Sequence, residues 1–418
     1  MTRPGIGRII GEIRQATGAL MAHSFLLGNR DFGRYWAARL VSYAGDQIAR
    51  TALLIAVFDR HGGAALGLLL IAGTAPRLLG PALGALADRY DQRRIIVVCD
   101  VAQALLYGVI ALAAPPLPVL LALVAVAATA ATAFTPAGRS LLPRLVPAAD
   151  LGTANARLAV GVNAGFAAGP ALGGLLLAAA GLTATLLVDA ATFVASAVLV
   201  AGVHRLARAG AAPARPMRTI LREGLTTVRG NPVVRAVSTG FLVMVTFAAL
   251  DNVALVPFGR DALGAGAAGI GLLGSLYGIG MVAGPMLIGR ARMDLVLYAA
   301  FLALGAGTLL TGVSPLLALA LAGQALAGAG AGWHNVAADT LIQQHVPADR
   351  LGTVFGTVYM FPYAAEVLAY ATGTALLAAT GPRTVLVVSG LGILATLAVV
   401  GPLLARALRS PVLAGDLR

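Results

Sequence analysis

The sequence predicts an all-α integral membrane protein with twelve transmembrane helices in two pseudo-symmetric six-helix bundles, and three observations carry that prediction. The first is composition: of 418 residues 59% are hydrophobic and only 11% charged, with a mean hydropathy of +0.87. Soluble domains carry about 25% charged residues, so lipid must solvate most of this chain. The second is that apolar stretches near the length needed to cross about 30 Å of hydrocarbon recur from end to end. The third is a sorting of the basic residues between alternate connections.

The predicted spans are 35–58, 64–87, 95–114, 116–138, 157–180 and 182–203, then 236–258, 267–289, 293–313, 315–338, 351–379 and 383–407. Tight turns at Pro115-Pro116, Gly181, Ser314-Pro315 and Gly381-Pro382 divide neighbouring spans. The organisation expected is a segment 1–34, a bundle 35–203, a central loop 204–235, a bundle 236–407 and a tail 408–418.

A formal charge of +13 in a soluble chain would suggest nucleic acid. Here all 30 basic residues are Arg, and their positions decide otherwise. The two termini, the central loop and the connections on their side hold 24 of them, including Arg89, Arg93, Arg94, Arg139 and Arg144. The opposite connections hold three, Arg60, Arg260 and Arg383, and Arg39, Arg50 and Arg77 lie within spans. This positive-inside pattern predicts cytoplasmic termini in a bacterial inner membrane, with the charge facing anionic headgroups rather than nucleic acid. The single Cys99 excludes an intramolecular disulfide and a multi-cysteine metal site.

Residues 1–32 lack the apolar core of a signal peptide. Ile6, Ile9, Ile10 and Ile13 recur at helical spacing there, and a mobile tail and a surface-lying amphipathic helix both fit. In the central loop, Met217, Ile220, Leu221, Leu225 and Val228 alternate with Arg218, Arg222 and Glu223, which predicts a helix on the inner face joining the bundles.

The bundles repeat. Val146-Pro147-Ala148-Ala149-Asp150-Leu151-Gly152-Thr153 returns as Val346-Pro347-Ala348-Asp349-Arg350-Leu351-Gly352-Thr353, at an offset of 200. Gly80, Gly84, Gly173 and Gly181 return at the same offset as Gly280, Gly284, Gly373 and Gly381. An even number of spans per repeat makes the copies parallel, an arrangement used by secondary transporters.

The connection after the second span reads Gly84-Ala85-Leu86-Ala87-Asp88-Arg89-Tyr90-Asp91-Gln92-Arg93-Arg94. It resembles the major facilitator superfamily pattern Gly-x-Leu-Ala-Asp-Arg-x-Gly-Arg-Lys/Arg, with Asp91 and Gln92 departing from it. The resemblance implies the major facilitator fold. It also implies that Gly84, Asp88, Arg89 and Arg93 form a latch bracing the cytoplasmic side of the two halves when the opposite side is open. The second half keeps only Gly284, Gly289, Arg290 and Arg292 of this cluster.

In the fifth span, Gly161, Gly165, Gly169 and Gly173 share one face on which another backbone can lie close, and Pro170 permits a bend. The run Gly165-x-x-x-Gly169-Pro170-x-x-Gly173-Gly174 is similar to the motif that accompanies drug–proton antiporters in that superfamily; a generic packing face explains it equally in isolation. Asn29-Arg30-Asp31-Phe32 with Trp36, Gly45-Asp46 and Arg50 looks like the opening of the enterobactin-exporter and macrolide-efflux branch. So do Phe134-Thr135-Pro136-Ala137-Gly138-Arg139 and Asp189-Ala190-Ala191-Thr192-Phe193. The fourth span lacks the Arg found in several drug antiporters.

Ionisable groups within spans mark function by default because they are costly there. Asp46 and Arg50 lie four apart on the first span, placed to neutralise each other, and Arg77 on the second is within reach of both. A structural network and a coupling role both remain open for these three. Asp251 and Glu366 show no local partner in the sequence; Glu366 is the first candidate to carry a coupling proton and Asp46 the second. Asp189 reads as a packing residue, and His334 with Asn335 and Asp339 as a satisfied polar cluster. Aromatics placed to line a cavity are Tyr43, Phe166, Phe247, Tyr277, Tyr359 and Tyr363.

No phosphate-binding Gly-Lys-Ser/Thr loop, metalloprotease His pair or serine elbow occurs, so neither ATP hydrolysis nor enzyme chemistry is expected, and no cofactor. The expectation is a monomeric secondary exporter of a small amphipathic molecule, exchanging it for protons. An uptake permease of the same fold and a non-transporting membrane scaffold are the alternatives.

Overall fold

The computed structural model describes residues 28–80, 82–84, 90–204, 217–289, 291–347 and 350–409, which are helical almost throughout and contain no strand. The first half comprises α1 (Arg30–Thr74), α2 (Gln92–Ala113), α3 (Leu117–Leu145) and α4 (Leu151–Ala201). A connecting helix, α5 (Met217–Gly230), follows. The second half comprises α6 (Pro232–Pro257), α7 (Ala267–Ala283), α8 (Met293–Val313), α9 (Leu317–His345), α10 (Leu351–Thr380) and α11 (Pro382–Arg409).

Two of these helices are double. Gly62 (φ 76°, ψ −172°) folds α1 into two arms and Gly181 (φ 78°, ψ 175°) does the same in α4. A side chain at such φ/ψ would clash with its own backbone, which is why a tight reversal falls on glycine. Eight helical stretches are long and apolar enough to cross a membrane, the two doubled ones included. α9 and α10 match them in length but carry Gln324, His334, Asp339 and Glu366. Counting both arms of α1 and α4, the twelve predicted spans are all present as helical rods. On α2, Val98, Val101, Leu105, Val109 and Leu112 are exposed at helical spacing and make a lipid-facing stripe.

Boundaries differ where polar and apolar faces share the end of a helix. α3 and α9 run to Leu145 and His345, past the predicted ends at 138 and 338. Leu141, Leu142 and Leu145 stay buried while Arg139 and Arg144 occupy the other face, so average hydropathy falls before the helix does. The second span is not one regular helix: Pro76 opens a 3₁₀ turn, Ala75–Leu79.

The repeat survives as geometry. Gly381 adopts φ 82°, ψ 169°, nearly the values at Gly181. Gly173 faces Ile48 of the first helix of its half, and Gly373 faces Leu250 and Val253 of the first helix of the other. A further pair is absent from the sequence repeat. The Asn29 side chain caps α1 by accepting from Phe32 N–H, and its amide donates to Leu145 O at 2.7 Å. Asn231 caps α6 through Val233 N–H and Val234 N–H and donates to His345 O at 2.9 Å. Each asparagine thus ties the first helix of its half to the end of the fourth.

The apolar cores divide unevenly along the long axis. At the end where the chain connects through longer basic loops, each half has its own core, built around Phe32, Phe134 and Leu141 in one and Val237, Phe301 and Leu341 in the other. At the opposite, tight-turn end, one cluster spans both halves, joining Ile55, Leu66 and Leu70 to Val253, Leu273, Tyr370 and Leu377. The halves are therefore closed together at the tight-turn end. α5 packs against α10, where a Cβ at Gly224 would meet Thr357 and lie 3.1 Å from Thr353 O, so the connecting helix belongs to the second half.

Candidate functional site

Lipid tails offer helices little hydrophobic reason to associate, so close contacts rest on small residues that let backbones approach. The seam between the halves shows this on both sides. A Cβ at Gly67 of α1 would run into Thr374 of α10, and one at Gly63 would lie 2.9 Å from Leu377. Across the other crossing, Gly271, Gly274 and Gly278 of α7 lie against Pro170, Ala171, Phe166 and Ala167 of α4. Pro170 cannot donate to the carbonyl of Phe166, and a Cβ at Gly278 would lie 2.7 Å from that oxygen. Ala171 N–H donates across the seam to Ser275 Oγ at 2.8 Å.

The fifth-span motif accordingly has two jobs. Gly165, Gly169 and Gly173 pack on the first arm of α1, against Tyr43 and Ala44, Gln47, and Ile48 respectively. Gly174 instead faces the backbone of Ala267 in the other half. At the tight-turn end Arg260 and Asp59 form a bidentate ion pair between the halves, its Nε–Oδ1 distance 2.8 Å. A cavity of about 400 Å³ lined by Asp59, Arg60, Leu177 and Arg260 adjoins that pair. It lies at the closed end, away from the charges within the spans.

Those charges gather midway along the seam. Arg77, on the 3₁₀ turn of the second span, is exposed and lies over the Tyr363 ring of α10 at 5.6 Å. Arg39, Arg77 and Arg50 all act electrostatically on the Asp46 carboxylate. Asp46 and Arg50 nevertheless form no ion pair among the described residues, so the expected neutral couple is not made. On the second half, Glu366 accepts a hydrogen bond from Tyr370 Oη at 2.5 Å, and Asn252 Nδ2 donates to that hydroxyl at 3.4 Å. Asp251 accepts from Gln324 Nε2 at 3.2 Å. Neither acid is without a partner, as the sequence suggested; Tyr370 stands one helical turn from Glu366 and was overlooked for that role.

Other candidates separate. Phe247 packs on Gly392 of α11 inside the second half, so it does not line the seam. Tyr277 meets Phe166 across the seam, with ring centroids 6.4 Å apart. Tyr359 donates to Asp339 at 2.6 Å. His334 is not part of that polar cluster: it is buried against Phe241 and Phe301, and neither ring nitrogen is hydrogen-bonded. Asp189 is fully buried beside Gly45 and accepts from Thr192 Oγ1 at 3.3 Å. Asp100, unremarked in the sequence, is also fully buried and accepts from Ser196 Oγ at 2.7 Å. Of the expected latch, Asp88 and Arg89 lie outside the described residues, Gly84 faces Pro136 of its own half, and Arg93 donates to Ala201 O.

Comparisons with known proteins agree with this architecture. The chain is 28% identical over 360 residues to the uncharacterized MFS-type transporter YfiS of Bacillus subtilis (strain 168), covering 81% of this chain and 85% of that one. It is 31% identical over 221 residues to the multidrug efflux pump Tap of Mycolicibacterium fortuitum, covering 48% of this chain and 53% of Tap. Among solved structures, the nucleoside transporter NupG superposes with a TM-score of 0.70 at 13% identity, covering 91% of this chain and 99% of that one. A bacterial homologue of the iron transporter ferroportin in its inward-facing state gives 0.67 at 18% identity, covering 90% and 99%. The major facilitator superfamily model matches residues 35–259, more than half of the sequence, and the chain belongs to that superfamily of membrane transporters.

Proposed function

We propose that this transporter exports a small amphipathic organic molecule by alternating access, in exchange for protons, from a bacterial inner membrane with both termini cytoplasmic. The observation that carries the reading is the placing of the groups from both halves, Arg77 on Tyr363 and Glu366 on Tyr370, midway along a seam whose tight-turn end is closed. With the basic end cytoplasmic, this arrangement is open to the cell interior, where an exporter loads. Tap, whose name records multidrug efflux, and the glycine–proline motif of the fifth span support the outward direction. Small residues against Pro170 let α4 and α7 rock at their crossing without prising apart interlocked side chains. Glu366, Asp46 and Asp251 are the candidates to carry the proton, and Gly84, Asp88, Arg89 and Arg93 to latch the basic end in the alternate state. The unit is proposed to act as a monomer, the 1–34 segment and 408–418 tail flanking the two bundles.

Reconstitution into liposomes with an imposed proton gradient tests the proposal. A panel of dyes and antibiotics should include compounds moved faster than in empty vesicles and in the direction opposite to the protons. Movement of every one of them with the protons would establish an uptake permease instead. Glu366→Gln should abolish the gradient-driven part; undiminished transport assigns the proton to another group.

A further inference from the structure

Within the spans, the charges on the two sides of the seam are treated differently. Each carboxylate outside the Asp46 cluster is held by a neutral donor: Glu366 by Tyr370, Asp251 by Gln324, Asp339 by Tyr359, and Asp100 by Ser196. The three guanidinium groups have no such satisfaction. Arg39 rests on the Phe134 ring at 4.6 Å and Arg77 on Tyr363 at 5.6 Å, and among the described residues no carboxylate pairs with Arg39, Arg50 or Arg77. All three act on one carboxylate, Asp46, and on the hydroxyl of Tyr43 beside it. Arg50 and Arg77 also act on Tyr370 of the second half, so the cluster faces the seam rather than lipid.

Three cations around one carboxylate leave an excess of positive charge where charge is costly. A guanidinium is a rigid planar fork of donors whose strongest partners are delocalised oxyanions, and it keeps its charge at any working pH. Ring stacking on Phe134 and Tyr363 leaves the edges of Arg39 and Arg77, where their N–H groups lie, free to meet such a partner. Aromatic faces next to the charge, Tyr43 and Tyr363, suit an apolar or aromatic body attached to the acidic group.

We propose that Arg39, Arg50 and Arg77 form an oxyanion subsite of the transport cavity, so that the molecule carried is an organic acid with an aromatic or apolar body. This rests on the export reading for its transport consequence, though not for binding. Fluorescein and rhodamine 123 share a tricyclic ring system and differ in charge sign at pH 7.5, which makes them matched probes. Fluorescence anisotropy with the full-length protein in lipid nanodiscs should show fluorescein binding at least tenfold more tightly. Arg77→Gln should weaken fluorescein about tenfold, the scale of one charged hydrogen bond lost, and Arg77→Lys less. Arg50→Gln provides a second variant, and an unchanged thermal unfolding temperature certifies either fold. Preference for rhodamine 123, or fluorescein affinity unaltered in both folded Gln variants, overturns the subsite. The same dyes in proteoliposomes separate the two readings. Fluorescein bound but neither dye moved faster than in empty vesicles counts against export and leaves the subsite standing. Rhodamine 123 carried alone overturns the subsite and leaves export standing.

Discussion

Closure at the tight-turn end depends on a single close approach that one methyl group can spoil. At Gly67 an added Cβ would run into Thr374 Oγ1 and lie 2.9 Å from Thr374 Cβ and 3.0 Å from Cγ2, so α1 and α10 must separate. Overpacking of this kind costs about 1–3 kcal/mol. The gain of about 1 kcal/mol from replacing a helical glycine by alanine is the same in every state of the transporter, so it cancels from the equilibrium between states. Gly67→Ala should therefore shift the population away from the closed tight-turn end by a factor of about 5–150. Gly73, one and a half turns further along α1, has nothing within 4 Å, and Gly73→Ala is the matched control that should shift nothing. Spin labels at the exposed positions His61 and Thr380 bracket the seam, and the sole native thiol, Cys99, is buried. Pulsed dipolar spectroscopy in nanodiscs should show a longer-distance population growing in Gly67→Ala. Distance distributions superimposable on wild type and on the control would refute the assignment of this contact to closure.

The remaining predictions use the same protein. Asn29→Ala and Asn231→Ala each delete a helix cap and a tie between helices; both should lower thermal stability, by about 1–3 kcal/mol, and by similar amounts because the two sites repeat. Asp59→Asn should open the tight-turn end far less than Gly67→Ala, since a pair about one-third exposed is worth about 0–1 kcal/mol, and 1 M salt should erase the difference from wild type in the same distance measurement. Phe247→Ala should destabilise by about 3 kcal/mol or more in thermal unfolding while leaving fluorescein affinity as in wild type, because its ring packs on Gly392 inside the second half.

The fold was legible because lipid imposes one demand, long apolar helices, that twelve stretches of this chain meet and that a duplicated loop groups into halves. Turn glycines such as Gly181 were legible for a similar reason, since a reversal there leaves little choice of residue. What escaped were pairings set by rotation about helix axes. Four residues separate Asp46 from Arg50, which places them on one helix face, yet side-chain direction and the pull of Arg39 and Arg77 keep them from pairing. Tyr370 stands four residues beyond Glu366 in the same way, and there the contact forms. Phe247 looked like a cavity aromatic because depth alone was readable; which neighbour it faces was not. Asp100 escaped for a different reason, its partner Ser196 lying 96 positions away.

Two of the arginines that mark the basic end do more than mark it. Arg34 donates to Gly202 O and Arg93 to Ala201 O, so both guanidinium groups close the carboxyl end of α4, where unpaired carbonyls and the negative pole of the helix converge. During synthesis the same residues weigh in the decision about which side of the bilayer each connection occupies. Biogenesis and finished structure therefore read these side chains at different times and by different criteria. A lysine at either position would satisfy the insertion machinery equally while offering a compact ammonium in place of a planar fork. Variants of that kind would thread correctly and then fray at the end of α4, a defect invisible to any topology assay and visible only as a shortened lifetime of the assembled bundle.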